Sequence, residues 1–384
     1  MMLGLLLARA GVDVLVLEKH ADFLRDFRGD TIHPSTLEVM NELGFVDDLL
    51  KLPHQKTPEL HGSFGGLALK IADFSHLPVR CPYIALMPQW DFLDFLSERA
   101  SRYPGFQLRM RAEVGRLLEE DGRVVGLHAT TPEGPLEVRA DLVVGADGRT
   151  SVVRAQAGMQ VQEFGAPMDV LWFALPRRAT DPEGSMGRFD AGRIFIWLNR
   201  GDYWQCGFVI PKGSAEKIRE KGLPAFRDGV AQVAPFAADR VGELRDWDAI
   251  KLLTVRVDRL TQWYRPGLLC IGDAAHAMSP VGGVGINLAI QDAVAAANLL
   301  AAPLREAHLA LEDLRRVQER RMLPTRLTQQ LQVFIQDRVI RRVLGSTDRP
   351  ALPLAVKLLA RFPILCRIPG RLIGMGVRPE HVRT

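Results

Sequence analysis

Asp273 lies in a segment whose residue types suit a ligand that carries phosphate and hydroxyl groups. Residues 267–293 read GLLCIGDAAHAMSPVGGVGINLAIQDA. This pattern predicts a buried strand, a sharp turn at Asp273, a glycine-rich loop after Pro280 and a helix beginning near Ile286 and Asn287. The start of a helix carries about half a positive charge, which would stabilise negative charge on a bound ring or oxyanion. The Asp273 carboxylate could accept hydrogen bonds from ligand hydroxyls.

Two other carboxylates follow predicted strands. Residues 142–154 read LVVGADGRTSVVR, which predicts a buried strand, a tight loop carrying Asp147 and a helix beginning at Ser151. Glycines allow a ligand to approach the backbone, and helix starts offer unpaired N–H groups to phosphate. Glu18 ends the apolar run from Val12 to Leu17, where an acidic residue can bind the ribose of an adenine nucleotide. The structural alternatives are a solvated strand end for Glu18 and an ordinary turn for Asp147.

The elements around these segments suggest an interleaved α/β chain. The first residues resemble the later part of a βαβ dinucleotide-binding unit, and helices are predicted over 34–44 and 88–101. Alternating, aromatic-rich stretches between Gly165 and Trp247 predict a sheet with one packed face, in which the aromatic rings serve packing. Beyond Asn287 the pattern is almost entirely helical.

The order of Glu18, ADGRTSVVR and IGDAAHAMSPVGGVGINLAIQDA resembles the FAD-dependent aromatic hydroxylases, the para-hydroxybenzoate hydroxylase-like class A flavoprotein monooxygenases. The resemblance implies a Rossmann-like FAD-binding domain, an inserted, mainly antiparallel β-sheet substrate domain and a helical C-terminal tail. Their expected ranges are 1–60, 88–165 and 255–300 for the first, 61–87 and 166–254 for the second, and 301–384 for the third. The implied reaction is hydroxylation of a small aromatic substrate with FAD, O₂ and NADH or NADPH.

Carried onto this sequence, the resemblance implies specific cofactor contacts. It places Glu18 on the adenosine ribose, Arg28 near the FAD phosphates or ring, and Gln89 near the ribityl chain. Asp147 would contact both FAD and the nicotinamide coenzyme. Asp273 would contact the ribityl and pyrophosphate portions of FAD. The residues implied around the isoalloxazine are Pro280, Gly282, Gly285, Ile286 and Asn287.

No side-chain nucleophile or metal site is expected, and no catalytic residue is assigned. The histidines form no cluster with metal-ligand spacing, and His33 and His276 are interpreted as packing or loop residues. The four cysteines are widely spaced, which predicts reduced, buried thiols and a cytoplasmic protein.

The glycine-rich GxGxxG loop that normally opens this family is not found in the sequence. We expect a start codon assigned inside the real gene product; the alternative is a truncated form with impaired FAD binding. Two other functions stay open: a flavin-dependent reductase on the same fold, or a non-catalytic interaction or membrane-surface module. A halogenase is disfavoured, because YWQCGFVIP breaks the WxWxIP signature.

Positive charge is concentrated in the tail. Residues 303–384 contain 16 Lys or Arg against 7 Asp or Glu, whereas the first 302 residues contain 33 against 38. The favoured interpretation is a helical segment packed on the flavin domain or in a homodimer. The alternative is peripheral contact with an anionic membrane. No nucleic-acid-binding motif supports a nucleic-acid partner.

Overall fold

The computed structural model describes residues 1–24, 31–346 and 354–384 and shows a mixed α/β fold, as the sequence predicts. Its helices are α1 (Met2–Arg9), α2 (Pro34–Glu42), α3 (Val46–Leu49), α4 (Gln89–Ala100), α5 (Val152–Gln156), α6 (Ala215–Glu220), α7 (Leu223–Val233), α8 (Gly285–Arg305), α9 (Leu311–Ile335), α10 (Arg341–Leu344), α11 (Leu354–Arg361) and α12 (Arg367–Gly374). A π-helical turn, Gln336–Ile340, joins α9 to α10.

The strands of the first half are β1 (Val14–Leu17), β2 (Thr31–Ile32), β3 (Gln55–Thr57), β4 (Glu59–Phe64), β5 (Leu67–Asp73), β6 (Ile84–Leu86), β7 (Phe106–Arg109), β8 (Glu113–Glu120), β9 (Arg123–Thr131), β10 (Gly134–Arg139) and β11 (Val143–Gly145). Those of the second half are β12 (Val161–Glu163), β13 (Met168–Pro176), β14 (Met186–Asp190), β15 (Arg193–Asn199), β16 (Tyr203–Pro211), β17 (Lys251–Leu253), β18 (Asp258–Leu260), β19 (Tyr264–Arg265) and β20 (Leu268–Cys270).

Two separate parallel pairs carry the predicted carboxylates. Strand β1 pairs with β7, and β11 pairs with β20, whose other neighbour is β19. Helix α1 lies directly on β1 because Gly4 has no side chain; a Cβ there would fall 2.8 Å from Val16. Among the described residues, β1 and β11 have no strand between them, and the side chains of both line a cavity.

A seven-stranded sheet forms the second layer, in the order β17-β13-β16-β15-β14-β4-β5. It is antiparallel except for the parallel pair of β14 with β4. Phe195, Trp197 and Trp204 are buried on one face, with Phe226 of α7 packed among them, so the aromatic side chains serve packing as predicted. Strands β12 and β18 pair beside this sheet and connect it to the parallel pair β11–β20.

Helix α8 crosses the middle of the molecule and packs against α1 and α9. In the part of the chain that the structure describes, residues 281–305 form one helical stretch long and apolar enough to span a membrane. However, 67% of the most apolar 18 residues of this stretch is buried, as in a core helix. All four cysteines are buried and unpaired, as predicted.

Candidate functional site

A continuous cavity of about 3290 Å³ runs from the edges of β1 and β11 to the seven-stranded sheet. Its walls include Glu18, Gln89, Asp147 and Asp273, which the sequence predicted as ligand contacts. The volume exceeds the roughly 300–1,000 Å³ of pockets for drug-sized ligands. The cavity therefore has room for an elongated cofactor together with a second molecule.

The loop after β11 is built around Asp147. Its Oδ2 accepts a hydrogen bond from the Val153 backbone N–H (3.1 Å), and the Ser151 hydroxyl caps α5 by accepting one from Arg154 N–H (2.9 Å). Gly148 has φ +85°, a conformation that a side chain would strain. The Asp147 carboxylate thus stabilises the start of α5 while the same loop forms part of the cavity wall.

Arg149 joins this loop to the loop after β20. Its Nη2 donates to Asp273 Oδ2 (3.2 Å), and each of the two side chains is 30% exposed. The other terminal nitrogen, Nη1, is buried without a hydrogen-bond partner among the described residues. Arg154 fixes the Arg149 backbone, because its Nη2 donates to the Arg149 carbonyl (2.6 Å). Sequence reasoning missed both arginines, although they stand within the quoted LVVGADGRTSVVR segment.

A turn of glycines opens helix α8 onto the cavity. Gly282 and Gly283 have φ of +79° and +63°, and a Cβ at Gly283 would fall 2.8 Å from Thr31 Oγ1. In the described part of the chain, no side chain caps the start of α8 at Gly285, so its first N–H groups are available where Gly285 and Ile286 line the cavity. Helix α8 is 21 residues long, and the positive end of its dipole lies at this part of the cavity wall.

Asn287 lies behind the wall rather than in it. Its side-chain oxygen accepts from Thr36 Oγ1 (2.7 Å) and from the His33 backbone N–H (3.2 Å), and the residue is 4% exposed. Asn287 Nδ2 also donates to the Gly283 carbonyl (3.4 Å). The amide therefore holds the glycine turn and the start of α2 together.

His33, interpreted from the sequence as a packing or loop residue, is buried beneath the same turn but also lines the cavity. Its Nδ1 donates to the Ile373 carbonyl (2.8 Å), which leaves Nε2 as the unprotonated nitrogen, without a partner among the described residues. Burial lowers the pKa of His33 to about 4, against the smaller opposing effect of the bond to Ile373. The imidazole is therefore neutral at pH 7 and adds no charge beside the site.

A buried ion network holds the Asp273 loop from the opposite side. His276 Nε2 donates to Asp292 Oδ2 (2.6 Å), and Arg321 Nε donates to Asp292 Oδ1 (2.9 Å). Arg321 Nη1 also reaches Glu380 (3.2 Å). Burial opposes ionisation of Asp292, but His276 and Arg321 hold its pKa below the usual value. Since Gly272 N–H donates to Asp292 Oδ2 (3.0 Å), the network fixes the first residue of the loop.

The remaining predicted contacts are spread along the cavity. Glu18 directly follows β1, and its carboxylate accepts a hydrogen bond from the His20 backbone N–H (2.9 Å). Gln89 is the first residue of α4. Pro280 and Gly282 line the cavity beside Gly285. Arg28 lies outside the described residues.

These residues fit an elongated anionic cofactor such as FAD. Arg149 Nη1 is a buried cationic donor without a partner among the described residues, and the backbone of Gly282 and Gly283, without side chains, forms part of the cavity wall. The open start of α8 adds a third favourable contact for negative charge. Among the described residues, no group of His, Cys, Asp or Glu could hold a metal ion.

Residues 1–330 match the model of the FAD-binding domain family. The chain belongs to this family. The resemblance to the FAD-dependent aromatic hydroxylases is confirmed, and the protein is an FAD-dependent oxidoreductase of the monooxygenase class.

Three known proteins are similar to this chain. The chain is 32% identical over 388 residues to 6-methylpretetramide 4-monooxygenase of Streptomyces rimosus, covering 100% of this chain and 91% of that protein. It is 28% identical to dialkyldecalin synthase of Streptomyces rugosporus, covering 77% and 61%. The crystal structure of p-nitrophenol 4-monooxygenase PnpA from Pseudomonas putida shares the fold, with a TM-score of 0.80, 19% identity and coverage of 98% and 96%.

Proposed function

We propose that this FAD-dependent monooxygenase hydroxylates a small aromatic or polycyclic phenolic substrate, with NADH or NADPH as reductant, in the cytoplasm. The observation that carries the proposal is the Arg149–Asp273 ion pair, which closes two motif-bearing loops around one cavity at the start of α8. The full-length similarity to 6-methylpretetramide 4-monooxygenase supports a polycyclic aromatic substrate. The reductase and non-catalytic alternatives are not favoured.

The cofactor would lie along the cavity with its adenosine end at Glu18. We assign Asp147, Arg149 and Asp273 to its pyrophosphate and ribityl portions, and the α8 start to its ring. When bound, FAD supplies the reduction and O₂ activation on which hydroxylation depends. The protein's own part is to orient the cofactor, stabilise negative charge and exclude water.

The substrate would lie between the ring position and the seven-stranded sheet. Met168, Ile194 and Val209 of β13, β15 and β16 line the cavity there and are at most 4% exposed. An apolar wall excludes water from the reacting atoms, which suppresses loss of activated oxygen to side reactions. The neutral His33 beneath the glycine turn adds no charge, so the positive potential there comes from the α8 dipole and from Arg149.

The test is a reaction of the FAD-loaded protein with a panel of phenols and polycyclic phenols, each with NADH and with NADPH, under isotopically labelled O₂. We expect substrate-stimulated coenzyme oxidation and one labelled oxygen atom in the product. Product without the label, or peroxide formation with every substrate, would contradict the proposal. A colourless protein that added FAD does not restore would support the non-catalytic alternative.

A further inference from the structure

Six apolar side chains mark the place where the cavity opens to solvent. Each is between 40% and 61% exposed, and each also lines the cavity. We call them the apolar mouth: Leu327, Leu331, Phe334, Ile368, Leu372 and Val377. The first three share one face of α9, at helical spacing, and the others lie on or just beyond α12.

Packing among the described residues leaves the α12 part of this surface uncovered. Helix α12 contacts β5 through its glycine face, where a Cβ at Gly370 would fall 1.9 Å from the Asp73 carbonyl oxygen. A Cβ at Gly374 would fall 2.9 Å from Leu77 and 3.1 Å from Phe74. The face bearing Ile368 and Leu372 is therefore left exposed. Exposed apolar side chains that share one helix face, as on α9, mark an interaction surface.

The surroundings of the mouth are positively charged. Residues 354–379 contain five cations and no Asp or Glu. All five are exposed, and none forms a salt bridge with another described residue. They are Lys357, Arg361, Arg367, Arg371 and Arg378. From the α9 side, Arg338 and Arg342 also line the cavity and are exposed.

We propose that the apolar mouth docks on an anionic lipid bilayer. Exposed apolar residues would enter the headgroup boundary, while the flanking cations would pair with lipid phosphates. A symmetric contact with a second copy would bring two identical cationic surfaces together, which like-charge repulsion opposes. Docking would orient the opening of the cavity toward lipid. This inference does not depend on the proposed reaction.

The first experiment is flotation of the full-length protein with vesicles of phosphatidylcholine alone or mixed with phosphatidylglycerol. We expect binding to the anionic vesicles that weakens as salt is raised, and little binding to the neutral ones. Equal binding to both, or no binding to either, would overturn the proposal. The readout requires neither substrate nor turnover, so it is independent of the hydroxylation test.

Two variants separate the apolar and the charged contributions. Ile368→Ser with Leu372→Ser should abolish most vesicle binding, whereas Leu311→Ser with Leu323→Ser should not. Leu311 and Leu323 are exposed on α9, the helix that also carries Leu327, Leu331 and Phe334, but they do not line the cavity. Arg367→Gln with Arg371→Gln should weaken binding about twenty-five-fold, since each cation near the surface contributes about fivefold.

The matched charge control is Arg315→Gln with Arg316→Gln, which removes the same charge far from the mouth. In the unmutated protein these two arginines pair with carboxylates of α9. It should change binding less than twofold, and a loss equal to that of the mouth variant would contradict docking at this surface. Sedimentation velocity supplies the other decisive outcome. If the unmutated protein is a dimer and the Ile368→Ser, Leu372→Ser variant is a monomer, the mouth binds a second copy of the chain, and lipid docking is overturned. Unchanged thermal unfolding of each variant shows that its fold is intact.

Discussion

The loop that follows β20 is held from two sides by two unlike sets of charges. On the cavity side, Asp273 pairs with Arg149, and both side chains are 30% exposed. On the opposite side, His276, Asp292 and Arg321 form a network in which no member is more than 1% exposed. The same loop therefore has one face with accessible charge and one face that water does not reach.

The difference separates binding from stability. A partly exposed ion pair is worth little to the fold, since solvent screens it, but its groups can reach a ligand. A buried network has the opposite character: loss of one member leaves a charge without its partner in the protein interior. Mutations on the two sides should therefore affect different measurements.

The largest effect is expected for Arg321→Met. The change leaves the buried carboxylates of Asp292 and Glu380 without their shared guanidinium, and should lower the free energy of unfolding by about 3–5 kcal/mol. Urea denaturation measures this value. The matched control is Arg320→Met, which also removes a bond to Glu380 but at a side chain that is 29% exposed. It should cost about 1 kcal/mol or less. Equal losses in the two variants would contradict the assignment of stability to the buried side.

The second effect is a pH dependence that belongs to His33. Its pKa is about 4 in the folded protein and about 6.5 in the unfolded chain, so below pH 6.5 the unfolded state binds the extra proton. The contribution of the neutral His33 to the free energy of unfolding is fully present above about pH 6.5 and is lost as the pH falls toward 4. Between about pH 7.5 and about pH 5 the loss due to His33 should be about 2 kcal/mol.

His33→Asn should remove this part of the pH dependence, as measured by urea denaturation at both pH values. His308→Asn, at an exposed histidine, is the control, and an equal change of slope in this variant would contradict the assignment to His33. An unaltered slope in the His33 variant would show that the buried imidazole takes up a proton without unfolding.

The third prediction concerns the cavity side. Arg149→Met should weaken FAD binding about tenfold to a hundredfold, because a charge-assisted hydrogen bond to the cofactor is lost. The free energy of unfolding without FAD should change by less than about 1 kcal/mol. Titration followed by flavin fluorescence measures the affinity. Arg102→Met, at an exposed arginine of similar pairing, should alter neither quantity. A large loss of unfolding free energy in Arg149→Met, with unchanged affinity for FAD, would show that the cavity side stabilises the fold and does not bind the cofactor.

The smallest effect is expected for Glu18→Gln, at the far end of the cavity. The amide keeps the shape but weakens hydrogen bonds from ribose hydroxyls, which should reduce FAD affinity about threefold to tenfold. Riboflavin, which lacks the adenosine portion, should bind both proteins equally. Equal weakening for FAD and riboflavin would place the adenosine elsewhere.

The elements that carry the site could be predicted because their signals are local. The strand before Asp147 is observed at Val143–Gly145, and Ser151 caps the helix that it was expected to begin. The helix after the glycine loop begins at Gly285, one residue before Ile286. Each of these features depends on apolar runs, glycines and a cap within a few residues of one another.

The contacts between the elements could not be predicted in the same way. Arg149 and Asp273 are 124 residues apart, and Asn287 meets the His33 backbone across 254 residues. An arginine in a loop carries no local signal of its partner, so it resembles an ordinary surface charge. Asn287 was placed at the ring by resemblance, whereas its hydrogen bonds lie behind the wall; its part at the ring stays a prediction. The individual contacts with the cofactor also stay predictions.

Strands β12 and β18 lie side by side as antiparallel partners, and β11 and β20 do the same in parallel. The chain therefore leaves for strands β13 to β17 and returns from them at adjacent points. Strands β4 and β5 enter the same sheet from an earlier part of the chain and join it through β14. Strands β13 to β17 of a relative could be exchanged by joins at β12 and β18, provided that the incoming β14 still pairs with β4.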